Sequence, residues 1–283
     1  MILGTAQLGL NYGISNKLGK PNAEAAMKLL NSALDNGITI LDTAAAYGDS
    51  EKVIGDSDLS EKFQIISKLP KIGFNQSNFD TIVDISATNS LKNLKVDSLY
   101  AYLLHSVDDL IAHEKQLWEQ LEKLKSAKKT SKIGYSVYNP EQLEQVYDRF
   151  KPDIIQIPMN VLDREFEITG WLQRLKDDGI EVHVRSVFLQ GLLLMSKEEQ
   201  TAKFPLYKNI WDEWHKYLRE NEITSLEACL SFISNNNLVD ETVLGVNSEM
   251  ELAEIMNIKQ DRCPTFKTNS RDKELINPSN WKT

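Results

Sequence analysis

The strongest constraint on the fold is an alternation that runs along almost the whole chain: a short, nearly continuous apolar run, then a longer segment with apolar residues at helical spacing. ILGTA, ITILD, FQIISKL, SLYAYLLH, SKIGYSV, DIIQIPM, IEVHVRSVF and ETVLGV read as strands. Near-continuous apolar runs belong to strands covered on both faces, as in a parallel sheet. Between them, AEAAMKLLNSALDNG has helical periodicity, a start marked by Pro21 and Asn22, and a glycine after its last turn. The pattern predicts a short helix from Ser50 to Gly55, longer ones over FDTIVDISATNSLKNLK and 107–127, and one over PEQLEQVYDRF opened by Asn139–Pro140. The longest is predicted over about 207–236. Roughly eight strand–helix units follow one another without a linker, which favours a barrel or a doubly wound sheet. No G-x-G-x-x-G opens the first helix, so a Rossmann dinucleotide site has no support. The expectation is an α/β fold, a (β/α)8 TIM barrel of parallel strands with its chemistry at the C-terminal strand ends. Residues 1–283 then form one domain, with a polar tail from about residue 260 that either lies over the barrel mouth or hangs free.

Four residues at or just past the ends of apolar runs stand out: Asp42, Tyr47, Lys68 and His105. An ionisable group there is costly unless it is paired or used. They are separated by 5, 21 and 37 positions, and a βα repeat takes about 30 residues. The four can therefore come from consecutive strand ends and converge. A tyrosine beside a lysine and an aspartate can act as a proton donor, because the ammonium favours the phenolate and lowers the phenol's pKa. Each alone has a plainer reading, since a buried Asp–Lys pair can be structural and a tyrosine after a strand can simply pack. His113, His183 and His215 lack a metal-ligand grouping and read as surface or core. Trp211 and Trp214, in IWDEWHKYL, read as helix packing, with a lining of the substrate mouth as the lesser alternative. Cys229, on the apolar face of SLEACLSFI, reads as core.

The formal charge of −9 comes with no basic tract, which argues against a dedicated binder of nucleic acid or of an anionic membrane. Cys229 and Cys263 form no disulfide or metal spacing, so a reducing compartment is the default. MILGTAQLG has no basic region followed by an apolar stretch, and no apolar run reaches the length of a membrane span. The expectation is a cytoplasmic enzyme of bacterial type.

Taken together and in order, the motifs resemble the aldo-keto reductase superfamily over most of the chain. LDTAAAYGDSE matches that family's D-T-A-x-x-Y-G-x-S-E segment, and Lys68 in SKLP and His105 in LLHS match the rest of its tetrad. IGYSVYNPEQL is similar to G-V-S-N-F-x-P-x-Q-L, and IIQIPMNVLDRE to Q-x-x-Y-N-x-L-x-R. VRSVFLQGLL is similar to Y-S-P-L-A-Q-G-L-L, and VLGVNSEMELAE to the late I-P-G-x-S segment. The resemblance implies an NAD(P)H-dependent reductase of aldehydes, ketones or sugar-like carbonyls, without a metal. Tyr47 would donate the proton, Lys68 would lower its pKa, Asp42 would pair with Lys68, and His105 would orient the carbonyl. The cofactor would run along Gly4, Thr5 and Asp42, then Ser136 and Gln156, then Arg185, Ser186, Leu189 and Gly191, and finally Gly245, Asn247, Glu251 and Glu254.

The chain also departs from the family pattern. The Ser-Asn pair that usually holds the nicotinamide amide reads Ser136–Val137, which leaves more of that recognition to Gln156. The aromatic that usually stacks on the nicotinamide ring is replaced by Arg185, which can stack, hold an anion or pair with a carboxylate. The late motif has Gly245, Asn247 and Glu251 where many members place basic or amide residues, and Ile255 where an asparagine is usual. NADP(H) is the implied default, with Lys197, Lys203 or Lys208 as candidates for its 2′-phosphate, and NAD(H) stays open. The loops LGLNYGISNKLGK and LLLMSKEEQTAKFPLYKN are expected to frame a pocket for a small, polar carbonyl substrate of anionic or sugar-like character. No nucleic-acid or membrane partner is expected, and monomer and small homo-oligomer both stay open. So do two other functions: a cofactor-binding regulatory protein with little turnover, and an epimerase or dehydratase that uses bound nicotinamide transiently.

Overall fold

The computed structural model describes residues 1–14, 16, 19–73, 76, 78–258 and 266–281. Cys263, the start of the polar tail and three residues of the loop LGLNYGISNKLGK lie outside them. The eight strands are β1 (Ile2–Gly4), β2 (Ile40–Asp42), β3 (Gln64–Leu69), β4 (Leu99–Leu104), β5 (Thr130–Ser136), β6 (Ile154–Pro158), β7 (Glu181–Arg185) and β8 (Glu241–Gly245). They pair in sequence order, all parallel, and close into a barrel. At the seam Gly4 stands opposite Asp42 on one side and Gly245 on the other. Side chains alternate along each strand, so Ile66 shares the inner face with Lys68. Ile2, Ile66, Ala101, Leu103 and Ile154 fill the barrel interior as one buried cluster. The outer strand faces and the helices make the larger core.

Local sequence explains most of the helix boundaries. The Asn22 side chain accepts from Ala25 N at 2.9 Å and opens Ala23–Asp35. Asn139 does the same for Pro140–Val146, which stops short of the expected end at Phe150. The single long helix expected over 207–236 is two helices, Lys208–Glu220 and Ser225–Ser234. Glu222 takes a left-handed φ of 53° between them, and Thr224 with Glu227 forms a reciprocal cap that restarts the chain in a new direction. Asp108–Ser126 is interrupted at Glu114, whose φ and ψ of 46° and −131° are not helical.

The C-terminal residues 266–281 lie on the barrel rather than hanging free. Arg164 Nη2 donates to Phe266 O at 2.6 Å, Ser270 N donates to Leu162 O at 2.9 Å, and Leu275 and Ile276 are buried. Trp211 and Trp214 are fully buried and donate to Phe204 O and Leu193 O, so both pack. Cys229 is in the core. His113 bonds Gly73 O, and His215 bonds Gln200 Oε1. His183 sits with Tyr100 and Lys132 around Glu181, near the N-terminal strand ends. No described helix is long and apolar enough to cross a membrane.

Candidate active site

One cavity of about 810 Å³ opens at the C-terminal ends of the strands, a size in the usual range for ligand sites. Asp42 ends β2, Lys68 is the penultimate residue of β3, and His105 directly follows β4. Tyr47 sits in the turn after β2. All four line the cavity. Lys68 Nζ donates to Asp42 Oδ1 at 2.6 Å and to Thr43 O at 2.9 Å, and both side chains are almost wholly buried. Gln156 Nε2 donates to the other Asp42 oxygen, so the carboxylate is held from both sides. The Lys68 ammonium lies 5.1 Å from the Tyr47 ring centroid, and the rings of Tyr47 and His105 meet edge to face at 5.4 Å.

The net shift of the Tyr47 phenol is upward. Burial, and then the Asp42 carboxylate, hold the phenol above its ordinary value, while Arg185 pulls it down. The ammonium gives hydrogen bonds to Asp42 and Thr43 while it faces the phenol ring. Burial also depresses the Lys68 ammonium, against the pull of Asp42. Burial, with help from Lys68 and Arg185, brings His105 down to about 4. The site thus presents a protonated phenol and a neutral imidazole at neutral pH.

The turn carrying Tyr47 is braced from below. Ser50 Oγ donates to Thr5 O at 2.8 Å, Thr5 Oγ1 donates to Asp42 O at 3.0 Å, and Ser67 Oγ donates to the buried Glu51 at 2.6 Å. Asn93 Nδ2 donates to the second Glu51 oxygen at 3.2 Å. Ser50 and Glu51 therefore fix the segment that follows Tyr47. Their place directly after Tyr47-Gly48-Asp49 was the available sequence signal.

The residues expected along the cofactor mostly meet in this cavity. Gly4, Thr5, Ser136, Gln156, Arg185, Ser186, Gly191, Gly245, Asn247, Glu251 and Glu254 all line it. Leu189 does not: it is fully buried in the core, because the loop after β7 turns its apolar side chain inward. That loop holds Ser186, Leu189, Gln190 and Gly191 all at positive φ, a run that is strained for the three non-glycines. Arg185 donates from Nε to Ser136 Oγ at 3.1 Å and from Nη2 to Val137 O at 3.0 Å, and it lies 4.5 Å from the Tyr138 ring centroid. The expected alternative of a carboxylate pair for Arg185 is not seen among the described residues. Asn247 N donates to Glu251 Oε2 at 2.7 Å, while the buried Asn247 Oδ1 has no partner.

The lysines suggested for a 2′-phosphate are placed elsewhere. Lys197 and Lys208 both pair with Asp212 at 2.6 Å, and neither they nor Lys203 lines the cavity. Of the two framing loops, Tyr12, Gly13 and Asn16 of the first and Leu194 of the second line the cavity. Sequence reasoning did not single out Gln7, Tyr138, Gln190 or the C-terminal Pro278 and Ser279, which also line it.

Comparison with known proteins is consistent with this geometry. The family model described as "Aldo/keto reductase family" matches residues 1–263. The aldo-keto reductase YhdN of Bacillus subtilis (strain 168) is 30% identical over 193 residues, covering 64% of this chain and 57% of the relative. The glyoxal reductase of the same organism is 28% identical over 178 residues, covering 61% and 62%. The matched region thus spans somewhat over half the length of these relatives. Among solved structures, the aldo-keto reductase AKR11C1 from Bacillus halodurans (holo form) superposes with a TM-score of 0.75 at 22% identity, covering 94% of this chain and 88% of that one. That likeness establishes the shared fold, and the family model, matched over nearly the whole chain, establishes the rest: the chain belongs to the aldo/keto reductase family.

Proposed function

We propose that this protein is an NAD(P)H-dependent oxidoreductase that reduces a small carbonyl compound to an alcohol. The observation that carries the reading is the convergence of Asp42, Tyr47, Lys68 and His105 at one cavity, with the phenol protonated and the imidazole neutral. When bound, the dinucleotide supplies a hydride to the carbonyl carbon. Tyr47 donates its hydroxyl proton to the carbonyl oxygen, and neutral His105 donates a hydrogen bond to the same atom. Preorganised donors of this kind stabilise the developing alkoxide, and general-acid help is worth roughly 10²–10⁴-fold. Lys68, anchored by Asp42 and Thr43, faces the tyrosine ring and offsets the negative charge left when the proton departs. Ser136, the free amide oxygen of Gln156, and Arg185 would hold the nicotinamide. Gly4, Thr5, Ser186, Gly191 and the backbone of Leu189 would flank the phosphates, with Gly245, Asn247, Glu251 and Glu254 at the adenosine end.

The late segment supports NAD(H) over the family default of NADP(H). The Glu251 carboxylate already occupies the start of helix Glu249–Met256, where an added anion would otherwise be welcome. A carboxylate there accepts from a 2′-hydroxyl and repels a 2′-phosphate. The polar mouth formed by Tyr12, Asn16, Tyr138 and Gln190 suits a hydroxylated, sugar-like substrate, and Arg185 leaves room for an anionic one. The name of the glyoxal reductase relative supports a small carbonyl. The proposed setting is the cytoplasm, as a monomer or small homo-oligomer.

The test is a carbonyl panel run with wild type and Tyr47→Phe. Turnover in the wild type, and its loss in a variant that still binds dinucleotide with a Kd within about twofold, supports the reading. Product formed without net dinucleotide consumption would point instead to an epimerase or dehydratase. Dinucleotide binding with no turnover of any substrate would point to a regulatory protein. For the cofactor, NADH should bind more tightly than NADPH, and Glu251→Arg should move the preference toward NADPH. Wild-type binding of NADPH about tenfold tighter than NADH would overturn the NAD(H) assignment.

A further inference from the structure

We propose that Arg185 makes this site bind the reduced nicotinamide more tightly than the oxidised one, by setting a positive charge without a counter-ion beside the ring. The inference rests on the reading above, in which the nicotinamide lies among Tyr47, Ser136, Gln156 and Arg185.

Four observations carry it. Arg185 ends β7 and lines the cavity together with Tyr47, Ser136 and Gln156. Its contacts are all uncharged: Ser136 Oγ at 3.1 Å, Ser186 Oγ at 3.3 Å, Val137 O at 3.0 Å and the Tyr138 ring. Among the described residues it has no carboxylate within ion-pair distance. The buried cation of the cavity, Lys68, is matched by Asp42 at 2.6 Å, so the half-buried guanidinium is left in excess.

The carboxyls closest to a counter-ion role are weak in it. Asp163 and Glu165 line a small recess that also includes Arg185 and Tyr138. Burial pushes Asp163 up to about 7, against the pull of Arg185, so it is only partly ionised at neutral pH, and burial raises Glu165 as well. The Arg185 charge also reaches the reacting end, since it pulls down both the Tyr47 phenol and the His105 imidazole.

The oxidised nicotinamide ring carries a full positive charge and the reduced ring none. A cation fixed beside the ring therefore repels one form and is indifferent to the other, and it does so more strongly in an enclosed cavity than in water. An aromatic side chain at this position would act in the opposite sense, its π face attracting the cationic ring. The guanidinium cannot relieve the repulsion by losing its proton, and the Tyr138 ring and the three hydrogen bonds hold it in place. The consequence is that oxidised dinucleotide competes poorly for the site and leaves readily, so the protein draws reduced dinucleotide from a mixed pool. By linkage, the ratio of the two affinities equals the shift in the balance of oxidised and reduced dinucleotide on the protein.

The experiment is a set of binding titrations of NADH and NAD⁺ to wild type, Arg185→Gln and Arg185→Lys, read by tryptophan fluorescence and repeated with the phosphorylated pair. The wild-type Kd for the oxidised form should exceed that for the reduced form by about tenfold or more. Arg185→Gln should close most of that gap, mainly by tightening the oxidised form, while Arg185→Lys, which keeps the charge, should preserve it. A wild-type gap below about twofold overturns the proposal on its own, whether or not Arg185→Gln folds. An unchanged gap in folded Arg185→Gln also overturns it. Binding of neither form to the wild type would instead sink the reductase reading.

Discussion

Gly9→Ala tests how the fold holds Tyr47 in place. Gly9 ends the short helix Ala6–Gly9 and lies flat against the turn that carries the tyrosine. A β-carbon on Gly9 would stand 1.7 Å from Tyr47 O and 2.6 Å from Ser50 N. The contact is reciprocal, because a β-carbon on Gly48, whose φ is +59°, would stand 2.4 Å from Gly9 O. A carbon beside a carbonyl oxygen settles at about 3.3 Å or more, so the alanine demands a retreat of roughly 1.5 Å. Little slack exists to absorb it. Tyr47 N donates to Ala44 O at 2.9 Å, Ser50 N donates to Tyr47 O at 3.1 Å, and Leu10 N donates to Ala6 O at 3.0 Å. A shift of about 1 Å at a reacting group can cost about 10²-fold in rate, and overpacking costs about 1–3 kcal/mol. The expected outcome is a kcat about 10²-fold lower, with dinucleotide affinity changed by less than about threefold, since most of the proposed cofactor contacts come from β5 to β8. Steady-state kinetics, dinucleotide titration and urea unfolding measure the three quantities. A folded Gly9→Ala protein with kcat within about threefold of wild type would refute the claim that this backbone contact sets the position of the phenol.

Three other outcomes follow from the same geometry. Lys68→Met leaves the buried Asp42 carboxylate without its ammonium and should cost about 3–5 kcal/mol in urea unfolding; a loss below about 1 kcal/mol would show that the pair compensates little. His105 is held down to about 4 against an ordinary 6.5, so the unfolded chain takes up a proton before the folded one does. Its contribution to stability is intact above about 6.5, declines as pH falls toward about 4 and then levels off. His105→Gln should flatten that part of the stability–pH curve, and identical slopes in variant and wild type would count against the assignment. Trp214→Ala removes a fully buried ring from the core and should cost about 3–5 kcal/mol while leaving dinucleotide affinity near the wild-type value; a large loss of affinity in the folded variant would move Trp214 into the binding site.

The barrel was legible because strands covered on both faces must be continuously apolar, and the sequence holds eight such runs. Asp42, Lys68 and His105 were legible for the complementary reason: an ionisable group at the end of an apolar run is anomalous unless something faces it. What escaped was set by contacts distant in sequence. Gln156 was read as a nicotinamide ligand, yet its amide nitrogen reaches across the barrel to Asp42, 114 positions away. The unmatched charge of Arg185 could not be seen from sequence either, since its partners come from β5 and the residues just after it. The break between Lys208–Glu220 and Ser225–Ser234 had a local signal, the T-S-L-E cap at 224–227, that helical periodicity on both sides masked. The irregularity at Glu114 has no glycine or proline to announce it. The docking of residues 266–281 depends on Arg164 and Leu162 meeting a polar stretch about a hundred positions later.

The closure of β1 on β8 also sets a timetable for synthesis. Ile2 faces Val243 across the seam, so a nascent chain cannot complete its sheet until Gly245 has left the ribosome. Until then the inner face formed by Ile2, Ile66, Ala101, Leu103 and Ile154 has no lining opposite it, and the edges of the partial sheet stay unpaired. Non-local pairing of this kind is slow to form and prone to aggregation while it waits. A newly made chain therefore keeps this apolar face and these edges exposed until its last strand closes the barrel, which is the interval in which misassembly competes with folding.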